Sequence, residues 1–457
     1  MTESFSSLDP ATGEVLAQIP ITSSEELRAK VARARAAQES WAALDVEERC
    51  ARIASAGPRI LERLDELSAL VTAEMGKPPA QARAEVKGRA LGLERLVETA
   101  RAACAVELDH SGGCESEILR DPLGVVAAIT PWNFPVGMPF SILLPALAMG
   151  NTVVFKPSEH VPLTGALIAE ELGRDLPTGV LELAQGPGQV GADLVAADVD
   201  MIGFVGSRAT GQRIMKSAGD GLKRLVLELG GKDPLVVFAD ADLDAAAECA
   251  VSNSLRNTGQ VCCSIERVYV AEEIAEAFEA KVMERARAWR HGDGRADRVD
   301  MGPMVSDEQR RKVHAQVCDA ADKGSRLLLG GELPAGPGYY YPATVIADLA
   351  EQAEMAREET FGPVVSLQRF DGSDAEAVRL ANDTPYGLGA NVYTGDAERG
   401  RRVARGIKSG QVGVNRYLAG SAKAPWVGAR QSGFGFLGGV EGYRQFSVPK
   451  TISVQVG

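Results

Sequence analysis

Histidine is scarce in this chain of 457 residues: His110, His160, His291 and His314 are scattered singly and read as surface or loop residues. Acid–base chemistry must therefore come mostly from carboxylates or thiols. The seven cysteines form an odd count with no CxxC pair and no histidine at metal-ligand spacing. That argues against a disulfide frame and a metal site and for a reducing compartment. Basic charge is also short. Lys and Arg number 49 against 62 Asp and Glu, a formal charge of −13, which removes the diffuse attraction that nucleic-acid and anionic-membrane binding need. No apolar run reaches the roughly 20 residues of a membrane span. The longest, Met138 to Gly150, is interrupted by Pro145 and is predicted to be a buried helix. The N-terminal MTESFSSLDPATGE lacks both the basic-then-apolar order of a secretory signal and the arginine content of a transit peptide. A cytoplasmic protein is expected.

What is present is a hydrophobic fraction of 45% in a chain longer than the roughly 250–300 residues at which one core stops growing. From Ser24 to Ala103 the pattern is helical, with Leu61, Leu64, Leu67 and Leu70 at three-residue steps. Short β-branched runs then alternate with helix-like segments. Val125–Thr130, Asn151–Pro157, Val180–Gln185, Met201–Gly206 and Arg224–Gly230 read as strands, with crossover helices such as Leu163–Gly173 and Ala209–Ala218. This is the texture of a parallel, doubly wound α/β sheet that binds ligands at strand C-terminal ends. A second alternation runs through Pro234–Phe238, a helix from Leu243 to about Arg256, Ile265–Val270, a helix near Glu272–Trp289, Val364–Phe370, Leu388–Tyr393 and Gly410–Asn415. Two α/β domains in series are expected: residues 1–103 with 123–229, and residues 230–429. Residues 104–122, with Gly112-Gly113 between extended flanks, suggest a protruding hairpin. The apolar strand Phe446–Val454 has no partner nearby in sequence, and such edges commonly pair across a subunit interface. Residues 104–122 and 430–457 are thus assigned to a small β oligomerisation element.

Several segments carry chemistry. GPGQVG (Gly186–Gly191) fits a glycine-rich nucleotide turn, or a plain tight turn, since no acidic residue follows at ribose-binding distance. FVGSRATG puts Gly206 and Ser207 at a helix N-terminus, where free N–H groups attract a phosphate, although Ser is also an ordinary cap. KPSE places Lys156 and Glu159 at a strand C-terminal end, within reach of ribose hydroxyls. ELGGK ends a strand with Glu228, and NTGQVC supplies the thiol of Cys262. A thiol and a carboxylate at an interdomain junction suit covalent catalysis, the thiolate attacking and the carboxylate later activating water. TPWNFP adds Asn133, whose amide could donate to an oxyanion, and EETFGP adds a further carboxylate and an aromatic ring.

In this order and spacing, TPWNFP, KPSE, FVGS, ELGGK, NTGQVC, EETFGPV, NDTPYGL and SGFG resemble the aldehyde dehydrogenase superfamily, from about Asp9 to the C-terminus. The resemblance implies an NAD(P)-dependent enzyme of the hydrolytic type. Cys262 matches its nucleophile, Asn133 its oxyanion donor and Glu228 the base that hydrolyses the thioester. Lys156 and Glu159 match adenosine-ribose contacts, Gly188 lies near the adenine, and Gly206 and Ser207 match the pyrophosphate contact. Glu359 matches the nicotinamide-ribose contact, and Phe361 packs by the nicotinamide, with Trp132 also assigned to cofactor binding. A carboxylate at Glu159 repels a 2′-phosphate, which favours NAD while leaving NADP possible.

The substrate is read less directly. Relatives acting on succinic semialdehyde often carry an arginine just after TPWNFP; here Met138, Pro139 and Phe140 stand there. An apolar wall of Phe134, Met138, Phe140, Val261, Cys263 and Tyr417 leads to a hydrophobic or aromatic aldehyde. Arg416 or Lys423, in the loop Asn415–Trp426, could instead supply a cation for an acidic semialdehyde. That loop departs from the usual PFGG-x-K-x-SG pattern, reading PWVGARQSG (Pro425–Gly433). Coenzyme A acylation or thioester hydrolysis by the same cysteine is the other alternative, with Glu228 speaking against acylation. The adjacent Cys263 could form a vicinal disulfide with Cys262 or simply pack beneath the loop. A homodimer or homotetramer acting on a small-molecule aldehyde is expected, with no nucleic-acid or membrane partner.

Overall fold

The computed structural model describes residues 3–111, 114–296, 298–418 and 423–455; the Gly112-Gly113 turn expected in the hairpin lies outside them. The chain opens with an unanticipated antiparallel pair, Ser4–Leu8 with Val15–Pro20. A layer of helices from Ser24–Ala42 to Leu96–Cys104 follows. These helices bury one stripe each, and Trp41, fully enclosed, donates its indole N–H to the Leu147 carbonyl at 3.0 Å. The apolar run forms the helix Gly137–Ala148, packed beneath this layer.

Two large sheets follow. The first orders its strands Gly433–Phe434, Arg224–Glu228, Met201–Val205, Val125–Ile129, Thr152–Lys156 and Leu181–Leu183, parallel except for the first. Its central strands are apolar and enclosed, as strands covered by helices on both faces must be. The chain moves outward in one direction from Val125–Ile129 and then returns to its other side with Met201–Val205. The order therefore reverses between these two strands, where a doubly wound sheet opens a crevice for a ligand. The second sheet runs Arg326–Leu329, Thr344–Ala347, Val364–Phe370, Ile265–Ala271, Asp233–Val237, Gly389–Tyr393 and Gln411–Val414. All its pairs are parallel except the antiparallel edge strand Arg326–Leu329.

Two features differ from the sequence reading. The C-terminal strand Ser447–Gln455 finds its partner in its own chain, along the whole of Cys114–Pro122 from Ser447 opposite Pro122 to Gln455 opposite Cys114. Gly433–Phe434, expected in the oligomerisation element, instead joins the first sheet, with Gly433 opposite Glu228. Among the described residues no helix is long and apolar enough to cross a membrane.

Candidate active site

The crevice of the first sheet is a cavity of about 730 Å³. Ile129 to Trp132 follow one strand at the reversal point, and Phe204 to Ser207 follow the other; both line it. Lys156, Glu159, Gly188, Gly206, Ser207 and Trp132 therefore share one wall system, as the sequence motifs required. Ser207 caps the helix Arg208–Ala218, its hydroxyl accepting from the Thr210 amide at 3.3 Å. Lys156, 3% exposed, lies 3.5 Å from the Glu159 carboxylate. Burial lowers the Lys156 ammonium. Burial would raise the Glu159 carboxyl, but the Lys156 charge leads the opposing contributions that hold it below its ordinary value. Gly188 faces open space. Trp132 meets Phe361 edge to face at 5.6 Å and His160 at 6.2 Å. His160 thus lines the cavity instead of standing in a plain surface loop.

The candidate catalytic groups gather where the first sheet ends and the second begins. Glu228 is the last residue of its strand, and Asp233 opens the second sheet. The two glycines between them are required by close approach: a Cβ at Gly230 would lie 2.4 Å from the Glu359 carboxylate, and one at Gly231 would lie 2.5 Å from the Cys262 carbonyl. The Gly231 amide donates to Glu359 Oε1 at 3.0 Å. Burial raises Glu359 to about 8. Its neighbour Glu358 receives the Arg208 guanidinium through both oxygens at 3.0 Å, tying this loop to the cofactor-side helix.

Cys262 follows a strained turn. Asn257, Thr258 and Gly259 are successively left-handed, with φ of 53°, 58° and 70°. Such backbone costs roughly 1–3 kcal/mol per non-glycine residue and persists only when its surroundings hold it. Here Thr258 Oγ1 donates to the Gly302 carbonyl at 3.0 Å, and Gln260 Oε1 accepts from the Val305 amide at 2.9 Å. A side chain at Gly259 would collide with the Gly362 carbonyl at 2.0 Å. Asn133, 4% exposed, donates from Nδ2 to the Gln260 carbonyl at 3.0 Å, and its own carbonyl accepts from Lys77 Nζ at 2.9 Å.

Val261, Cys263 and Leu388 form a small apolar cluster with Phe134, Cys262, Tyr417, Leu418 and Trp426 around it. The adjacent thiols share a hydrogen bond and titrate as a unit. The hydrogen bond to Cys263, burial and nearby carboxylates push Cys262 up. The Cys262 bond and the Tyr417 hydroxyl, 3.2 Å from Cys263 Sγ, bring Cys263 down to about 6. Burial raises Glu228 well above the usual carboxylate range, and the indole of Trp426 opposes this.

The apolar wall is smaller than expected. Phe140 belongs to the core beneath the helical layer and is 2% exposed. Met138 packs, half-buried, against that same core. Arg416 and Lys423 are exposed. A cation near these aromatic rings was passed over by the sequence reading: Arg256 lies 4.8 Å above the Tyr417 ring and donates to its hydroxyl at 3.1 Å. Its Nε is buried without a hydrogen-bond partner among the described residues. Its place six residues before Cys262 was the available signal. Trp426 was noted only as a departure from a pattern.

Comparison with known proteins agrees with this geometry. The model of the aldehyde dehydrogenase family matches residues 1–452. A probable NADP-dependent succinate-semialdehyde dehydrogenase of Sinorhizobium fredii is 39% identical, covering 98% of this chain and 92% of its own. A betaine aldehyde dehydrogenase of Cereibacter sphaeroides is 38% identical, covering 98% and 93%. The crystal structure of an NAD-dependent aldehyde dehydrogenase from Sinorhizobium meliloti superposes with a TM-score of 0.96 at 36% identity, covering 100% of this chain and 92% of that one. With its crevice at the reversal point of the first sheet and a thiol, an amide and a carboxylate beyond it, this chain belongs to the aldehyde dehydrogenase family of NAD(P)-dependent enzymes.

Proposed function

We propose that the protein oxidises a hydrophobic or aromatic aldehyde to its carboxylic acid through a covalent thioester on Cys262. One observation carries this reading. Trp132 lines the cofactor cavity while the next residue, Asn133, bonds at 3.0 Å to the loop that presents Cys262. The Cys262 thiolate attacks the aldehyde carbon, and the carbonyl oxygen becomes an alkoxide. The second N–H of the Asn133 amide and the Cys262 backbone N–H supply its donors. NAD, when bound, supplies the acceptor for the hydride that the thiohemiacetal loses. The cavity suits it: a helix N-terminus capped by Ser207 for phosphates, the Lys156–Glu159 pair for a ribose, and the Trp132–Phe361 edge for an aromatic ring. Glu359, lying against Gly230 and Gly231, is the group proposed to hold the second ribose. Glu228 then takes a proton from water, the hydroxide adds to the thioester, and the acid leaves as the thiolate is restored.

The aromatic surroundings of Phe134, Tyr417 and Trp426 support a substrate with an apolar body. A second reading, an aldehyde carrying a remote carboxylate, is favoured by Arg256, whose buried Nε has no hydrogen-bond partner among the described residues. The Sinorhizobium fredii relative is named for such a semialdehyde. The test is NADH formation with hexanal, benzaldehyde and succinic semialdehyde, without coenzyme A. The first reading expects kcat/KM for hexanal or benzaldehyde to exceed that for succinic semialdehyde at least tenfold. The reverse order, lost on Arg256→Ala, selects the second. An absolute need for coenzyme A would overturn both.

Among the described residues, the strand Ser447–Gln455 has one edge of its three-stranded sheet unpaired, which supports a homodimer or homotetramer joined near that edge. Light scattering giving a monomer at micromolar concentration would reject it.

A further inference from the structure

Glu228 is held by one C-terminal segment in two ways. Its backbone pairs with Gly433 of the short strand Gly433–Phe434, and its Oε2 accepts a 3.0 Å hydrogen bond from the indole Nε1 of Trp426. The other oxygen, Oε1, is buried with no hydrogen-bond partner among the described residues. The segment that makes this grip is itself fixed. Trp426 pairs with Leu437 across a short antiparallel ladder. Gln411 Nε2 donates to the Pro425 carbonyl at 3.1 Å. Arg430, left-handed at φ 54°, donates to the carbonyls of Asn382 and Tyr386. The enclosed Ser432 accepts from the Gly387 amide through its hydroxyl at 2.9 Å and from the Leu229 amide through its carbonyl at 2.9 Å.

We propose that Trp426 is a positioning residue for thioester hydrolysis: its indole N–H ties one oxygen of Glu228 and leaves the other aimed at the water to be deprotonated. This rests on the reading of Glu228 as the general base. An N–H donor to a carboxylate makes one of the stronger hydrogen bonds and favours the ionised acceptor over the protonated one. In a dry site with so few donors, that preference decides how much of the base is ready at a given pH. A phenylalanine, the residue of the usual PFGG pattern, has no N–H to give. This chain therefore holds its base by a bond that the pattern residue cannot make.

The experiment uses the full chain and p-nitrophenyl acetate, which needs neither the aldehyde nor the cofactor. The Cys262 thiolate attacks the acetyl carbonyl and p-nitrophenolate departs, which is read as a burst. Water then adds to the acetyl thioester, its proton passing to Glu228, and acetate leaves as the thiolate is restored; this step sets the steady rate. In Trp426→Phe the burst amplitude is expected within twofold of the parent. The acid limb of the steady rate moves up by about one pH unit, a roughly tenfold loss below it. Trp426→His, which restores an N–H donor, recovers most of that loss. In a Glu228→Gln background the same substitution has no further effect on the steady rate, because the group it acts through is gone. An unmoved limb, a faster steady rate, or an equal loss in the Glu228→Gln background overturns the proposal and leaves Trp426 as pocket wall. Should Trp426→Phe fail to fold, the benzothienyl analogue of tryptophan at 426 keeps the bicyclic shape and removes only the N–H, and the same outcomes apply. A steady rate untouched by Glu228→Gln on its own instead removes the general-base reading, a separate failure.

Discussion

The two sheets present opposite ends to the site. The first contributes strand C-terminal ends, at Ile129, Lys156, Val205 and Glu228; the second contributes the lead-ins to strand N-terminal ends, at Gly231, Cys263, Phe361 and Leu388. The first opens into a cavity of about 730 Å³ where opposite charges such as Lys156 and Glu159 pair with each other. The second closes over Cys263, Asp233 and Glu359, all shifted by burial or by one another. Binding is served by paired charges around open space. Bond-making is served by crowding, in which a carboxyl such as Glu228 is kept from its preferred charge state and so holds a proton more tightly than an ordinary carboxylate.

The sharpest break of this contrast is Cys262→Ala. It should remove turnover by at least about 10³-fold, in keeping with loss of a covalent nucleophile, while NAD binding by tryptophan fluorescence stays within twofold. Retained turnover would sink the mechanism. Glu228→Gln should lower steady-state turnover by about 10²–10⁴-fold, the range of a general base, while a pre-steady-state burst of NADH survives. In the parent, turnover should rise with pH through an acid limb lying well above the usual carboxylate range, since burial keeps Glu228 protonated below it. A profile that is flat from pH 5 to 8 contradicts the assignment.

Gly259→Ala probes the second sheet's crowding alone. The left-handed φ of 70° and the contact with the Gly362 carbonyl predict a loss of several kcal/mol and a lower Tm, with turnover reduced more than NAD affinity. Equal losses of both would blur the division between the sheets. On the other side, Lys156→Ala should weaken cofactor binding about 10–100-fold, the range of a lost charged hydrogen bond, and spare the p-nitrophenyl acetate burst. The smallest effect is expected of Glu159→Gln, which should raise the NADP-to-NAD ratio of kcat/KM by about tenfold, about 1.4 kcal/mol. No change in that ratio would show that Glu159 does not choose the cofactor.

The alternation of apolar strands and helices was legible because both sheets are enclosed on both faces, so that runs such as Val125–Ile129 are continuously apolar. The cofactor motifs were legible because each lies within a few residues of one strand end. What escaped was non-local or rotational. The partner of Ser447–Gln455 is more than three hundred residues away at Cys114–Pro122. Nothing in residues 138–140 alone indicates which way a helix turns Phe140. Arg256 was hidden by its ordinary position on the approach to NTGQVC. Trp426 matters through a single N–H, which no hydrophobic pattern records.

Trp132 and Asn133 are one peptide unit apart, a span of about 3.8 Å between α-carbons, yet one faces the cofactor cavity and the other the thiol loop. The partition between the two chambers, the cofactor cavity and the space beside the thiol loop, is thus a single peptide unit thick. Side chains on either side can vary in size and charge, and loops elsewhere can lengthen, but the number of residues from Ile129 to Gly137 cannot. Adding or removing one would hand each chamber the other's residue, so in any diversification of this enzyme this stretch should change in spelling and never in length.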